Sequence, residues 1–387
     1  MEKRKQGSKR RKRQGREQEA GEMAGKGVYV KRSEDAVRRD IQVDLNAAAL
    51  PRSGPSWIGR SEHLQPPLPS KPAAVTQPTG LSGMAENEAA PTQAEIDGLV
   101  GEPGFSYVNW GGRVSIRILD SHRRVIALLG GMPRDASGYT QAMELAAEDI
   151  EREAATCVFT HGDIHHRRAT SKGYAALHTG ISFGGGQRQP GNLANSPSNT
   201  AAAERLLQSP HIKRIAGFTN CLFQTFAPML WLFYCSEMRS LQAWGPWLAW
   251  NFVGSVFAAC TFNLGPFTAT RPHLDFANLA WGWCAVTALG KFDCNSGGHL
   301  ILWDLRLLIR FPPGSTILLP SAILRHSNTP IGPGEKRFSV VQYTAGGLFR
   351  FLHNGCKTYI EETPMLSAQE AEFRWKTGIS MFAVAEN

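Results

Sequence analysis

Aromatic side chains are nearly missing from the first 104 residues of this 387-residue chain, where only Tyr29 and Trp57 of its 36 Phe, Trp and Tyr lie. Nine of the 23 prolines fall in the same stretch. Such a segment has little apolar surface to bury, so composition excludes a conventional globular domain there. Acidic residues are as scarce at the very start: residues 1–16 carry nine Lys and Arg against one Glu, and supply +8 of the formal net charge of +9. The rest of the chain is close to neutral, and the basic balance belongs to a terminal arm. No CxxC occurs among the seven scattered cysteines (157, 221, 235, 260, 284, 294, 356), which argues against a zinc finger and for a reducing compartment. The N-terminus places charge where a signal peptide needs an apolar run, so secretion is not expected. Residues 240–270 carry no charge, yet Gln242, Pro246, Asn251, Asn263 and Pro266 interrupt them, so a buried element pair is expected and no membrane association.

What is present sorts into three regions: a disordered basic and Pro/Ala/Ser-rich stretch over 1–104, a folded domain over 105–357 and a helical extension over 358–387. Lys3-Arg4-Lys5 and Lys9-Arg10-Arg11-Lys12-Arg13 fit a nuclear-import signal, a phosphate-binding arm or a solvated tail. Residues 32–104 read as an extended linker. Strands are expected at 113–119 and 125–129 around a His122-Arg123 turn, and at 174–183 before Gly184-Gly185-Gly186. Helices are expected at 140–155, 201–208 and 211–242, the last kinked or divided by Pro228. From Ser255 onward, short apolar runs at 255–263, 279–290, 298–303, 306–311, 315–319 and 337–344 alternate with Gly, Pro and Asn, the pattern of a barrel or jelly roll. Ser367 and Glu370 form a capping box, with Gly378 after the helix they start. The fold class is therefore α+β: a double-stranded β-helix (jelly-roll) core with supporting helices.

Within the β-rich part, His273-Leu274-Asp275 places an imidazole and a carboxylate on one side if the segment is a strand, and His326 follows 53 residues later. Two His and one carboxylate on one face leave open coordination positions, the set used by nonhaem Fe(II). Eleven residues on, Arg337 shares a strand face with Ser339, Val341 and Tyr343. The arginine fork matches a carboxylate and Ser339 adds a hydroxyl, so the pair suits the far carboxylate of 2-oxoglutarate.

The runs RPHLDFANLAWGWCAVTALGKFD, GGHLILWDLRLLIRFPPGSTILLPSAILRHSNTPI and EKRFSVVQYTAGGLFRF, with GISFGGGQRQPGNL, HIKRIAGF and FAACTFNLGP upstream, resemble the fungal, transposon-associated branch of the TET/JBP family of Fe(II)- and 2-oxoglutarate-dependent dioxygenases. The resemblance spans about residues 107 to 357. It implies that His273, Asp275 and His326 ligate iron, that Arg337 binds 2-oxoglutarate, and that O2 oxidises the methyl of 5-methylcytosine in nuclear DNA to hydroxymethyl and beyond, a DNA-demethylation chemistry. Relatives with a cysteine-rich zinc-binding extension have no counterpart in these residues, which leaves DNA contacts to loops, the Gly184 region and the basic arm. A monomer is expected. The same chemistry on N6-methyladenine or RNA, and a decayed DNA-binding remnant, stay open as alternatives.

Other residues carry two readings at this point. Trp281 and Trp283 suit a core or a base-stacking face; His299 suits a pocket wall or a structural role; His161, His165 and His166 suit a loop better than a second metal; Asn263 suits the cofactor pocket or a strand end.

Overall fold

The computed structural model describes residues 39–61, 91–133, 135–357 and 367–385. The basic arm and the PPLPSKP run lie outside them. In chain order the strands are β1 (Arg39–Gln42), β2 (Ser106–Val108), β3 (Ile116–Leu119), β4 (Val125–Leu129), β5 (Ala176–Ser182), β6 (Gly191–Asn192), β7 (Ala259–Asn263), β8 (Cys284–Lys291), β9 (Leu300–Leu302), β10 (Leu307–Ile309), β11 (Thr316–Leu319), β12 (His326–Asn328) and β13 (Lys336–Tyr343). The helices are α1 (Gln93–Val100), α2 (Ala136–Ala154), α3 (His161–Ile164), α4 (Pro197–Gln208), α5 (Pro210–Phe226), α6 (Pro228–Trp244), α7 (Gly346–His353) and α8 (Ala368–Ser380).

Two sheets form the jelly-roll core of this α+β fold. The larger runs β1-β3-β4-β11-β8-β13-β7-β5-β6 and the smaller β12-β9-β10-β2. Strand alternation divides the larger sheet into two chemically distinct faces. Phe262, Leu289, Phe338 and Val340 point outward into an apolar layer with Tyr139, Ile150, Leu206 and Ile212 from α2, α4 and α5. Their neighbours Thr261, Asn263, Ser339 and Val341 point the other way and line a cavity whose opposite wall includes Leu300, His326 and Asn328 of the smaller sheet. The site is thus the space between the sheets.

Pro228 divides the long helical tract. Ala227 takes an extended φ of −140° and Pro228 starts α6, because proline disfavours helical backbone in the residue before it and brings no N–H. Among the described residues no helix is long and apolar enough to cross a membrane. None of the seven cysteines forms a disulfide.

Three expectations need correction. Residues 32–104 are not linker throughout: β1 pairs in parallel with β3, and Ile41, Val43, Ala47, Leu50, Trp57 and Ile96 are buried. A handful of well-placed apolar residues suffices to bind such a segment to a core that others build, and a composition average over 104 residues hides them. The C-terminal helix is likewise no appendage, since Trp375 and Ile379 sit in the main core. Its capping box is present, with the Glu370 N–H donating to Ser367 Oγ at 3.1 Å and the Ser367 N–H donating to Glu370 Oε2 at 2.8 Å. Gly378, however, lies inside α8, where a Cβ would press into the Trp281 ring. Finally, His273-Leu274-Asp275 is not a strand: His273 sits in an isolated bridge to His326, and Asp275 opens the turn after it.

Candidate active site

The metal end is assembled by that bridge. The His273 N–H donates to the His326 carbonyl at 3.1 Å, and the His326 N–H donates back at 3.0 Å, which locks the two residues side by side. Each imidazole is oriented by its own chain: Nδ1–H of His273 donates to the Arg271 carbonyl at 2.8 Å, and Nδ1–H of His326 to the Leu324 carbonyl at 2.9 Å. A carbonyl only accepts, so both Nδ1 atoms hold the proton and both Nε2 lone pairs are free to bind a metal. These Nε2 atoms lie 3.9 and 3.7 Å from the Asp275 carboxylate oxygens. Ligand atoms of the three residues all fall within 4.8 Å of one another, the only such group among the described residues.

Asp275 is fixed from two sides. Its N–H donates to the Ser321 carbonyl at 2.9 Å, and its Oδ1 accepts from Arg168 Nη1 at 2.6 Å. Burial works to raise the carboxyl, but the Arg168 guanidinium and then the two imidazoles outweigh it, so the net shift is downward and Asp275 is ionised. Burial, and after it the neighbouring His326, push His273 far below the usual imidazole range, so it is neutral. A neutral His273 and an ionised Asp275 are protonation states that a divalent metal requires, and a donor set of two imidazoles and one carboxylate matches nonhaem Fe(II).

At the other end stands Arg337, only 1 % exposed. Ser339, Val341 and Tyr343 line a cavity of about 600 Å³, together with Asn263, Tyr174, His178 and Asn278. Arg337 does not itself line it; it stands directly behind Thr268, which does, and donates from Nη1 to the Thr268 carbonyl at 2.7 Å. Its Nε and Nη2 are buried without partners, as is Thr268 Oγ1. Burial pushes Arg337 down to about 10, with Tyr174 pulling the other way, so it stays charged at neutral pH. Beside it Ser339 Oγ accepts from Asn263 Nδ2 at 2.7 Å. A buried cation with two unused donors is costly by several kcal/mol, and a carboxylate would satisfy both in a bidentate pair. The residues therefore fit 2-oxoglutarate: a carboxylate at Arg337 and Ser339, and a keto acid end toward the triad.

Arg168 is the residue that sequence reasoning missed. Its only trace was a pair of adjacent arginines in an apparent loop, 107 residues before Asp275. His178 on β5 was also unmarked; its Nδ1 lies 2.8 Å from Thr261 Oγ1, and burial, then Arg168, lowers its pKa. Asn263 lies at the end of β7 and also lines the cavity, so its two readings are both met. His299 is structural: fully buried, within 3.1 Å of Thr329 Oγ1 and outside the cavity wall. Trp281 and Trp283 are core, in and just after the turn before β8. The His161 and His165 rings lie tilted against each other with centroids 4.3 Å apart, on α3 and its cap, while His166 lines the cavity.

No family model and no curated protein matches the chain. Several solved structures are similar in part. NgTET1 in complex with 5mC DNA overlaps at a TM-score of 0.41 and 14% identity, covering 66% of this chain and 88% of that one. An oxidoreductase of the 2OG-Fe(II) oxygenase family from Burkholderia pseudomallei overlaps at 0.29 and 16% identity, covering 54% and 89%. A dioxygenase for auxin oxidation in rice overlaps at 0.27 and 14% identity, covering 60% and 73%. The functional reading rests on the residues themselves.

Proposed function

We propose that this protein is an Fe(II)- and 2-oxoglutarate-dependent dioxygenase that oxidises the methyl group of 5-methylcytosine in DNA. The observation that carries the chemistry is the pairing of a ready metal triad in a cavity with a buried, half-unpartnered arginine standing behind Thr268 of the same cavity's wall. A zinc hydrolase needs the triad but has no use for the arginine. The substrate is inferred from the motif resemblance to TET/JBP enzymes.

Bound at the triad, ferrous iron with 2-oxoglutarate supplies the oxidising power of O2, one oxygen atom going to the methyl and the other to succinate formed with loss of CO2. The protein's part is placement. Arg337 and Ser339 grip the far carboxylate and so fix the keto acid along the cavity. His273, Asp275 and His326 would hold the metal through two imidazole nitrogens and a carboxylate oxygen. A methyl in a duplex groove cannot reach this interior, so the base is flipped, at a few kcal/mol of unstacking. Tyr343 offers a flat face along the wall, and His178 and Asn278 offer polar atoms to a base edge. The basic arm adds sequence-independent phosphate attraction and nuclear delivery.

The test is incubation with Fe(II), 2-oxoglutarate and DNA bearing either 5-methylcytosine or N6-methyladenine, followed by nucleoside mass spectrometry. Loss of 5-methylcytosine with matching succinate is expected, and none with Asp275→Ala. Turnover confined to N6-methyladenine would overturn the substrate, and no turnover on either would favour the DNA-binding remnant. Deleting residues 1–16 is expected to flatten the salt dependence of DNA binding while sparing turnover on a saturating short duplex.

A further inference from the structure

Residues 51–59 run along the back of the metal site, although composition assigned them to a linker. Arg52 and Gly59 close a small antiparallel bridge, and Ile58 bridges Leu279. The Gly59 N–H donates to the Phe276 carbonyl at 2.8 Å, and the Ala280 N–H donates to the Trp57 carbonyl at 3.1 Å. These two bonds hold the turn that begins at Asp275, one at Phe276, inside it, and one at Ala280, just beyond it.

Gly59 has no positive φ, so its backbone conformation does not call for glycine; proximity does. A Cβ there would overlap the Ala322 carbonyl and stand 3.2 Å from Phe276 Cα. Phe276 follows Asp275 directly, and Ala322 belongs to the segment that leads into His326. The same segment accepts the Asp275 N–H at Ser321 and the Asn278 side chain at Ser321 Oγ, 3.1 Å away. Gly59 is therefore the point at which a third strand of chain presses against both ligand-bearing segments at once. A side chain added there must drive them apart or push the strap off.

The strap is anchored from outside. Arg374 of α8 lies over the Trp57 ring at 4.6 Å and donates to the Pro55 carbonyl at 2.7 Å. Arg52 lies over Trp375 at 4.8 Å and pairs with Glu372. Both termini of the described chain thus converge on the back of the site.

We propose that Gly59, held in a strap over residues 51–59, is a positioning residue that sets the spacing between the Asp275 turn and the His326 segment and hence the affinity for the metal. This rests on reading the triad as a metal site.

The test is Fe(II) titration of the full-length chain under argon by calorimetry, with thermal unfolding of the metal-free protein in parallel. Gly59→Ala is expected to weaken Fe(II) binding tenfold or more, the size of effect that outer partners of a metal site produce. Gly54→Ala, on the same strap with nothing within 4 Å of its Cβ, is expected to bind as wild type. A purely structural role would lower the unfolding temperature and leave the affinity of the folded protein unchanged, which would overturn the proposal. Should Gly59→Ala fail to fold, Arg374→Met loosens the strap away from the ligands. Weaker Fe(II) binding by that folded variant supports the proposal, and wild-type affinity overturns it. A wild-type chain that binds no Fe(II) would sink the metal assignment itself, a different result from wild-type binding that Gly59→Ala leaves untouched.

Discussion

At the metal triad the charges are balanced, whereas at Arg337, behind the cavity wall, one charge stands without a counterpart. Asp275 is ionised because Arg168 and the imidazoles compensate its burial, and His273 is neutral because burial, reinforced by His326, keeps the proton off. Arg337 has only the Thr268 carbonyl and the face of Phe292, with the ring centroid 5.8 Å away. The difference teaches what each end awaits. The first is organised in advance for a cation that brings its own charge, and the second withholds satisfaction until an anion arrives.

Replacing a ligand should have the largest effect. Asp275→Ala is expected to abolish Fe(II) binding and reduce turnover to background, checked by calorimetry and succinate release; retained binding would break the metal assignment. Next comes Arg337→Met, which sharpens the contrast because two signs differ. Affinity for 2-oxoglutarate should fall about a hundredfold or more, as when one partner of a buried charge pair is truncated. The ligand-free protein should unfold at an equal or higher temperature, since a buried cation without a partner has been replaced by an apolar chain of similar length. Lower stability of the free protein would mean that Arg337 is already satisfied.

Arg168→Gln should cost roughly 10–100-fold in metal affinity by releasing Asp275. It should also move the acid loss of metal binding to higher pH, because the group that chiefly holds the Asp275 carboxyl down is gone. Titrations at several pH values would show this, and an unmoved midpoint would contradict it. A separate effect, on folding and not on the site, concerns His299, which burial pushes down to about 4. A depressed histidine contributes stability above its unfolded value near 6.5, lost as pH falls toward 4, on the order of 3 kcal/mol. Asp304, raised by burial to about 6, acts with the opposite sign, favouring the fold below its unfolded value and losing that contribution as pH rises toward 6. Denaturant melts of His299→Gln should therefore show a shallower decline between pH 6.5 and 4 than wild type.

Much of this was readable along the chain, for identifiable reasons. β7 to β11 and β13, but not β12, showed as short apolar runs because Gly and Pro mark their ends, and Arg337 and Ser339 could be placed together because alternation in a strand is strict. The three triad residues do come together, though not for the reason given for two of them. Asp275 meets His273 through a bridge and a turn, which leave no periodic signature. Arg168 was invisible because its partner lies 107 residues away and nothing local distinguishes a structural arginine from a solvated one. The strap was invisible for another cause: one tryptophan and two glycines among prolines make no pattern, and their meaning appears only when Phe276 and Ala322 are brought against them.

The most direct measurement is the visible absorption of the anaerobic protein titrated with Fe(II) and then with 2-oxoglutarate. A charge-transfer band of an iron-chelated keto acid should rise to one equivalent in the wild type and be absent at the same concentrations in Asp275→Ala and strongly weakened in Arg337→Met. No band in the wild type, or a band indifferent to Arg337, would show that the two ends of the cavity do not serve one ligand.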